Sequence, residues 1–422
     1  MARGQGARAQ MALAFETLYG IPPVSGFTKM PFVSTTIGGS QPLLDNEVLG
    51  FGRDPLSPSR DAFDADGDIV IPLDVENLGF WLKAIFGQPT TVGIIAATGA
   101  ITFTAQPAVN STVTIGGTVF TFVAAGAAGN QSNIGASLAA TLTALAVVLN
   151  ASVVPAVVAS TYLGTATQLQ ITFKTLGHTG NATTIAASTV PASSGTASAA
   201  TLTNGANTHT FLSGSWTLPS LSIETQMPEV PRFAMYPGVV IDQFTWELKR
   251  KGYLQGSLKV IAQSENIAAA SVAGSLAAQN YTRFGQFNGL ISMDGVQMAN
   301  VTQARVTYMN NLEKIDSIRG DGKIEAADPS IAGLKGQITA RFADLSLFNK
   351  AIAGTPSVIL LSHVISASAR YDFTAHAVYL PRPRADIQGP SGIDATFDWQ
   401  GALATNPARM CTAVLTNGVA GY

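Results

Sequence analysis

Between Lys83 and Glu224 the chain carries a single charged side chain, Lys174. So sharp a change in composition marks a segment inserted whole into an older protein. Removing it from view exposes an internal echo. Gly67-Asp-Ile-Val-Ile-Pro-Leu73, followed by Trp81-Leu-Lys-Ala-Ile-Phe-Gly-Gln-Pro89, is answered by Gly336-Gln-Ile-Thr-Ala-Arg-Phe342 and then Phe348-Asn-Lys-Ala-Ile-Ala-Gly-Thr-Pro356. Both stretches read as strand, short helix, Gly stop and Pro. A unit used twice, with an uncharged passenger, suits a building block better than a catalyst.

A chain of 422 residues exceeds one ordinary core and implies two or three domains. Charged residues make up only 12% against 46% hydrophobic, so little surface charge opposes association. The net charge of -2 excludes the basic footprint of a tight nucleic-acid binder. Cys411 stands alone, which excludes a disulfide framework and fits a cytoplasmic origin. The apolar run Met11–Phe15 stops at Glu16, too short for a signal core, and no apolar run reaches membrane-spanning length, so no membrane insertion is expected.

The expected fold class is mainly β with flanking helices. Asp68–Leu73 alternates as a strand, and Leu78, Trp81, Leu82 and Ile85 recur at helical spacing after an Asp74 cap. Leu221–Gln226, Gln243–Leu248 and Leu258–Ala262 alternate as antiparallel strands with one buried and one wet face. A helix capped near Asp344 and a strand Ile393–Trp399 repeat the pattern later. The passenger contains strands at Ala100–Thr104, Thr112–Ile115, Val119–Val123 and Leu169–Lys174. It also carries a helical stripe of Ile134, Leu138, Leu142, Leu145 and Leu149. It therefore reads as a small α+β domain, with Pro191–Asn207 as a flexible exit. The expected domains are 1–90 with 209–280, an insert at 91–208, and 281–422.

Signals for chemistry are sparse. The four histidines lack metal-protease spacing, and no G-x-S-x-G elbow or phosphate-cradling P-loop occurs. Ser317–Asp328 overlays a calcium loop, but Ser317 and Arg319 stand where carboxylates are needed, so a polar Gly-Asp-Gly turn is the better reading. His209 reads as a hydrogen-bonded structural residue, and Trp81, Trp216, Trp246 and Trp399 as core. No catalytic, cofactor or metal site is expected. Two charged stretches, Asp45–Asp68 and Glu313–Asp328, precede the two repeated strands. They read either as solvated loops or as interface elements pairing with neighbouring subunits.

Phe15-Glu-Thr-Leu-Tyr-Gly-Ile-Pro-Pro23, the Gly67 strand, the Trp81 helix, and His209-Thr-Phe with Leu218-Pro-Ser-Leu-Ser-Ile-Glu224 resemble tail tube proteins of long-tailed, non-contractile bacteriophages. The resemblance covers roughly 1–90 and 209–422. The passenger, opening on Ala97-Thr-Gly-Ala-Ile-Thr-Phe103, is similar to add-on modules of phage virion proteins. The resemblance implies two antiparallel β-sandwich or barrel domains in tandem. It implies rings whose inner sheets join as one β-barrel, stacked into a tube of the virion tail that conducts DNA without gripping it. Its expected partners are further copies of itself, a tape-measure protein and a tail terminator. The simple family form makes hexameric rings, so two copies per chain imply trimers with pseudo-sixfold symmetry. On this reading Glu224, Glu247, Asp394 and Asp398 are candidates for the lumen. Arg53, Asp54, Arg60, Asp61, Asp64, Glu313, Lys314, Asp316, Arg319 and Asp321 are candidates for contacts between rings. The insert is expected to decorate the outer wall and touch host surfaces weakly. The competing readings are a β-rich adhesin or carbohydrate-binding virion protein and, more distantly, a hydrolase with an unrecognised site.

Overall fold

The computed structural model describes residues 3–341, 346–382 and 394–422. The chain divides into two compact units. One comprises Met1–Pro89, Thr210–Val364 and Tyr371–Val414; the other comprises Thr90–His209, Ile365–Arg370 and Leu415–Tyr422. Both are mainly β, with antiparallel pairing dominant.

The larger unit is organised by one long sheet. Ser34–Thr35 and Gly38–Ser40 pair with Asp64–Pro72, which pairs with Gln255–Ala262. The order continues through the C-terminal half of Arg232–Leu248, then Val301–Met309, Gly333–Arg341 and Asp394–Gly401. Strict alternation explains the assignment: Ile69, Ile71, Leu258, Val260, Phe244, Trp246, Val306, Ile338, Phe397 and Trp399 all turn to the buried face. Each such side chain contributes roughly 1.5–3 kcal/mol on leaving water. The helix Leu78–Phe86 buries Leu78, Trp81, Leu82 and Ile85 as its spacing predicts. It starts later than its Asp74 signal suggests. Asp74 instead accepts hydrogen bonds from the backbone N–H of Glu76 and Asn77 in the preceding turn, and burial raises its pKa to about 6.

The first half of Arg232–Leu248 leaves this sheet to pair with Leu221–Met227, whose other edge pairs with Gln10–Phe15. Here the motif residues meet. Glu16 accepts hydrogen bonds from Ser220 Oγ at 2.8 Å, Ser222 Oγ at 2.6 Å, and the backbone N–H of Gly20 and Gly238 at 2.9 and 2.8 Å. Four donors on one carboxylate tie the Phe-Glu corner to the Leu-Ser strand. One expectation needs correcting: Leu221–Gln226 has no wet face, because all six side chains are buried.

The two repeated stretches superimpose in register as well as in order. The shift that carries Gly67 to Gly336 also carries the pairs Gly38–Asp66 and Ser40–Asp64 onto Thr307–Lys335 and Met309–Gly333. It carries Leu43–Arg60 and Leu44–Ser59 onto Leu312–Pro329 and Glu313–Asp328. The two matched glycines have a shared steric reason. A Cβ on Gly67, whose φ is +152°, would lie 2.6 Å from the Ile37 backbone; one on Gly336 would lie 2.1 Å from the Trp399 ring. The helix cap near Asp344 and the expected Ile393 start of the strand that follows lie outside the described residues.

The smaller unit has its own core of Ile101, Phe103, Val113, Phe120, Phe122, Leu142, Leu145, Leu149, Leu169 and Ile171, among others. Its helix Leu138–Asn150 is capped by Ser137, whose Oγ accepts from the Ala140 N–H at 3.2 Å. Pro191–Asn207 is not a loose exit: Gly195–Ala197 pairs with Ile101–Phe103. Its Ser/Ala/Gly composition permits close strand approach, and a Cβ on Gly195 would meet the Phe103 ring at 2.9 Å. His209 is buried, with Nδ1 2.9 Å from Thr91 Oγ1 and Nε2 3.1 Å from Asn417 Oδ1. Burial lowers its pKa, so it is held neutral between two partners.

Candidate assembly surface

The outer face of the long sheet is a polar lattice. Because opposed residues share a face, the registers define rows across it. Glu247, Arg305, Gln337 and Asp398 form one row; Ser257, Thr245, Thr307, Lys335 and Gln400 form another. Thr245 and Thr307 hydroxyls lie 3.0 Å apart, and Gln337 Nε2 donates to Asp398 Oδ1 at 2.8 Å. Glu247 is half-buried, paired with Lys249 at 2.6 Å and accepting from Gln303. Asp398 is exposed.

Of the acidic residues picked from sequence, Glu247 and Asp398 therefore share one face. Asp394 opposes Arg341 at the start of Asp394–Gly401. Glu224 does not belong with them. It is fully buried in the other sheet and accepts from Gln226 Nε2 at 2.7 Å, Ser271 Oγ at 2.5 Å and the Val272 N–H at 2.8 Å. It is an anchor for the loop at 271–274. The sequence reading also missed the cations: Lys259, Arg305 and Lys335 are exposed on the same face as Glu247 and Asp398. Their signal was available, since each alternates with buried neighbours. The face is charge-balanced rather than acidic.

The two charged stretches form hairpins, not loops. Leu43–Asn46 pairs with Leu56–Arg60, and Leu312–Ile315 pairs with Ala326–Pro329. Pro58 lies within one of these strands, and a two-stranded ribbon tolerates it at a position without a ladder hydrogen bond. Arg53, Asp54, Arg60, Asp61, Glu313, Asp316, Arg319 and Asp321 are exposed. Arg319 and Asp321 pair with each other at 3.4 Å. Lys314 and Asp64 are committed within the chain: Lys314 Nζ lies 2.7 Å from Asp64 and 3.3 Å from Asp66. Partial burial pulls the Lys314 pKa down, but bonds to both carboxylates outweigh it and leave the pKa raised. The hairpin also covers Val240 and Ile261 with Ile324 and Ala327, while Leu312 packs alongside. The second hairpin thus seals the first half of the sheet. Asp321 accepts from the Lys323 N–H, which suits a polar turn; among the described residues no group of carboxylates, histidines or cysteines is arranged to hold a metal. Trp216, expected in a core, is 74% exposed, whereas Trp81, Trp246 and Trp399 are buried.

These features describe a sheet that is built twice, open at its Ser34–Ser40 edge and polar on one face. A family model described as phage tail tube protein matches residues 6–215 and again residues 192–401. The chain belongs to the phage tail tube protein family. It is therefore a structural component of a virion tail, and a match that occurs twice along the chain is consistent with two tube-type domains in tandem. Among curated proteins nothing matches. Among the described residues, the strand registers pair Ser34–Thr35 and Gly38–Ser40 only with Asp64–Pro72, and an unpaired strand edge is a template for pairing with another chain.

Proposed function

We propose that three copies of this tail tube protein close into a ring with pseudo-sixfold symmetry, and that stacked rings conduct the viral DNA. The repeated register supports this reading. In each half the same ladder is built, and the joint between Arg232–Leu248 and Val301–Met309 already joins the halves edge to edge. On this reading the tube domains are 1–90 with 209–280, and 281–422. The row of Glu247, Arg305, Gln337 and Asp398, with Asp394 at the end of its strand, lines the lumen. Its interspersed cations and carboxylates leave no single-sign field to hold a phosphate backbone. The exposed hairpin tips, including Arg53, Asp54, Asp316 and the Arg319–Asp321 pair, meet the next ring. A tape-measure protein inside the bore and a terminator at its end complete the assembly.

Electron microscopy of the purified chain tests this. Hollow stacked rings are expected; dispersed monomers that bind glycans would favour the adhesin reading instead. The insert is proposed to be dispensable for the tube, given its separate core. Replacing residues 91–207 with a short Gly/Ser linker is expected to leave tubes intact under the microscope. Loss of every tube would make the insert structural.

A further inference from the structure

The constant register shift pairs a covered surface with an uncovered one. In the first half, Asp66, Ile261 and Val240 form one row across three strands. The second hairpin covers that row, with Lys314 on Asp66 and Ile324 and Ala327 against Ile261 and Val240. In the second half the equivalent row is Lys335, Gln400 and Tyr379. Nothing among the described residues covers it: Lys335 and Gln400 are exposed and Tyr379 is 43% exposed.

The first hairpin is the matching unused piece. Leu43 occupies the position of Leu312 and Asp45 that of Lys314. Leu43 is 63% exposed, and Asp45 is exposed as well. The charges are exchanged. Where the covered joint sets Lys314 against Asp66, the open one offers Asp45 for Lys335. The hairpin of the same chain springs from Gly38–Ser40 and Asp64–Pro72 at the far edge of the sheet, with three strands between it and Gly333–Arg341, so the occupant must be another copy.

We infer that the first hairpin of one subunit docks on the Lys335–Gln400–Tyr379 row of the next, with Asp45 paired to Lys335. This rests on the ring reading above and names its contact. The exchanged charges also set the order of domains. A second hairpin placed on the open row would bring Lys314 to Lys335, and a first hairpin placed on the covered row would bring Asp45 to Asp66. Both are like-charge contacts, so first and second halves must alternate around the ring.

The test introduces Asp45→Cys together with Lys335→Cys and treats assembled tubes with a short thiol–thiol cross-linker. Cys411 is fully buried and stays silent. A denaturing gel is expected to show a ladder closing at the number of chains per ring, with either single variant unable to go beyond a dimer. Intact tubes from the double-cysteine chain with no such ladder would overturn the docking while leaving the tube reading standing. Failure of the unmodified chain to form tubes would instead remove the tube reading. As a second arm, Asp45→Lys or Lys335→Asp is expected to raise the concentration for half-assembly roughly tenfold. The paired exchange Asp45→Lys with Lys335→Asp should restore it. Equal assembly by single and paired variants, in the presence of normal tubes, would also overturn the contact.

Discussion

Glu224→Ala is expected to destabilise the larger unit by about 2–4 kcal/mol, and Glu224→Lys to prevent folding. The carboxylate is fully buried and takes hydrogen bonds from Gln226, Ser271 and the N–H groups of Val272 and Ala273. Alanine leaves those donors unanswered in a place that water enters poorly. Lysine sets a buried ammonium among groups arranged to donate to a carboxylate, with no counter-charge beside it. Asp398→Lys, by contrast, changes an exposed carboxylate whose one described partner is Gln337, and its effect on stability is expected to stay within about 0.5 kcal/mol. Urea denaturation followed by circular dichroism compares the three. Equal and small losses would mean that Glu224 is solvated and free to face a channel, as its place in an alternating strand first suggested.

Trp246→Ala is expected to cost about 3–5 kcal/mol. The ring is 1% exposed and stacks on Phe244 at a 4.7 Å centroid distance. It meets Phe373 edge-on at 4.8 Å. It therefore packs residues of both halves into one core, on the strand that joins them. Its indole N–H has no partner among the described residues, so the loss is almost wholly one of packing and cavity. Trp246→Phe, which keeps most of the volume, should recover more than half of the stability in the same denaturation experiment. A loss under about 1 kcal/mol for alanine would show that the two halves do not share this core.

What the sequence displayed and what it hid follow from where the determinants lie. Ile69, Ile71, Phe244, Trp246, Phe397 and Trp399 announce strands because burial on one face imposes period two. Gly67 and Gly336 announce the repeat because neither tolerates a Cβ, for reasons that are local and steric. Glu224 misled because alternation records side-chain direction, not what the other face meets; a second covering layer leaves no trace in the strand itself. The hairpins were hidden for the opposite reason. Polar ribbons held by docking, as Lys314 is held by Asp64 and Asp66, carry little apolar pattern. Gly195–Ala197 looked loose because small residues serve both flexible linkers and tight strand contacts.

The central claim is that one chain supplies two equivalent positions of a closed ring. Native mass spectrometry of single rings released from the tube measures this directly. The account predicts three chains per ring, each contributing a first and a second half in alternation. Six full-length chains per ring, or an open filament with no closed ring, would contradict it.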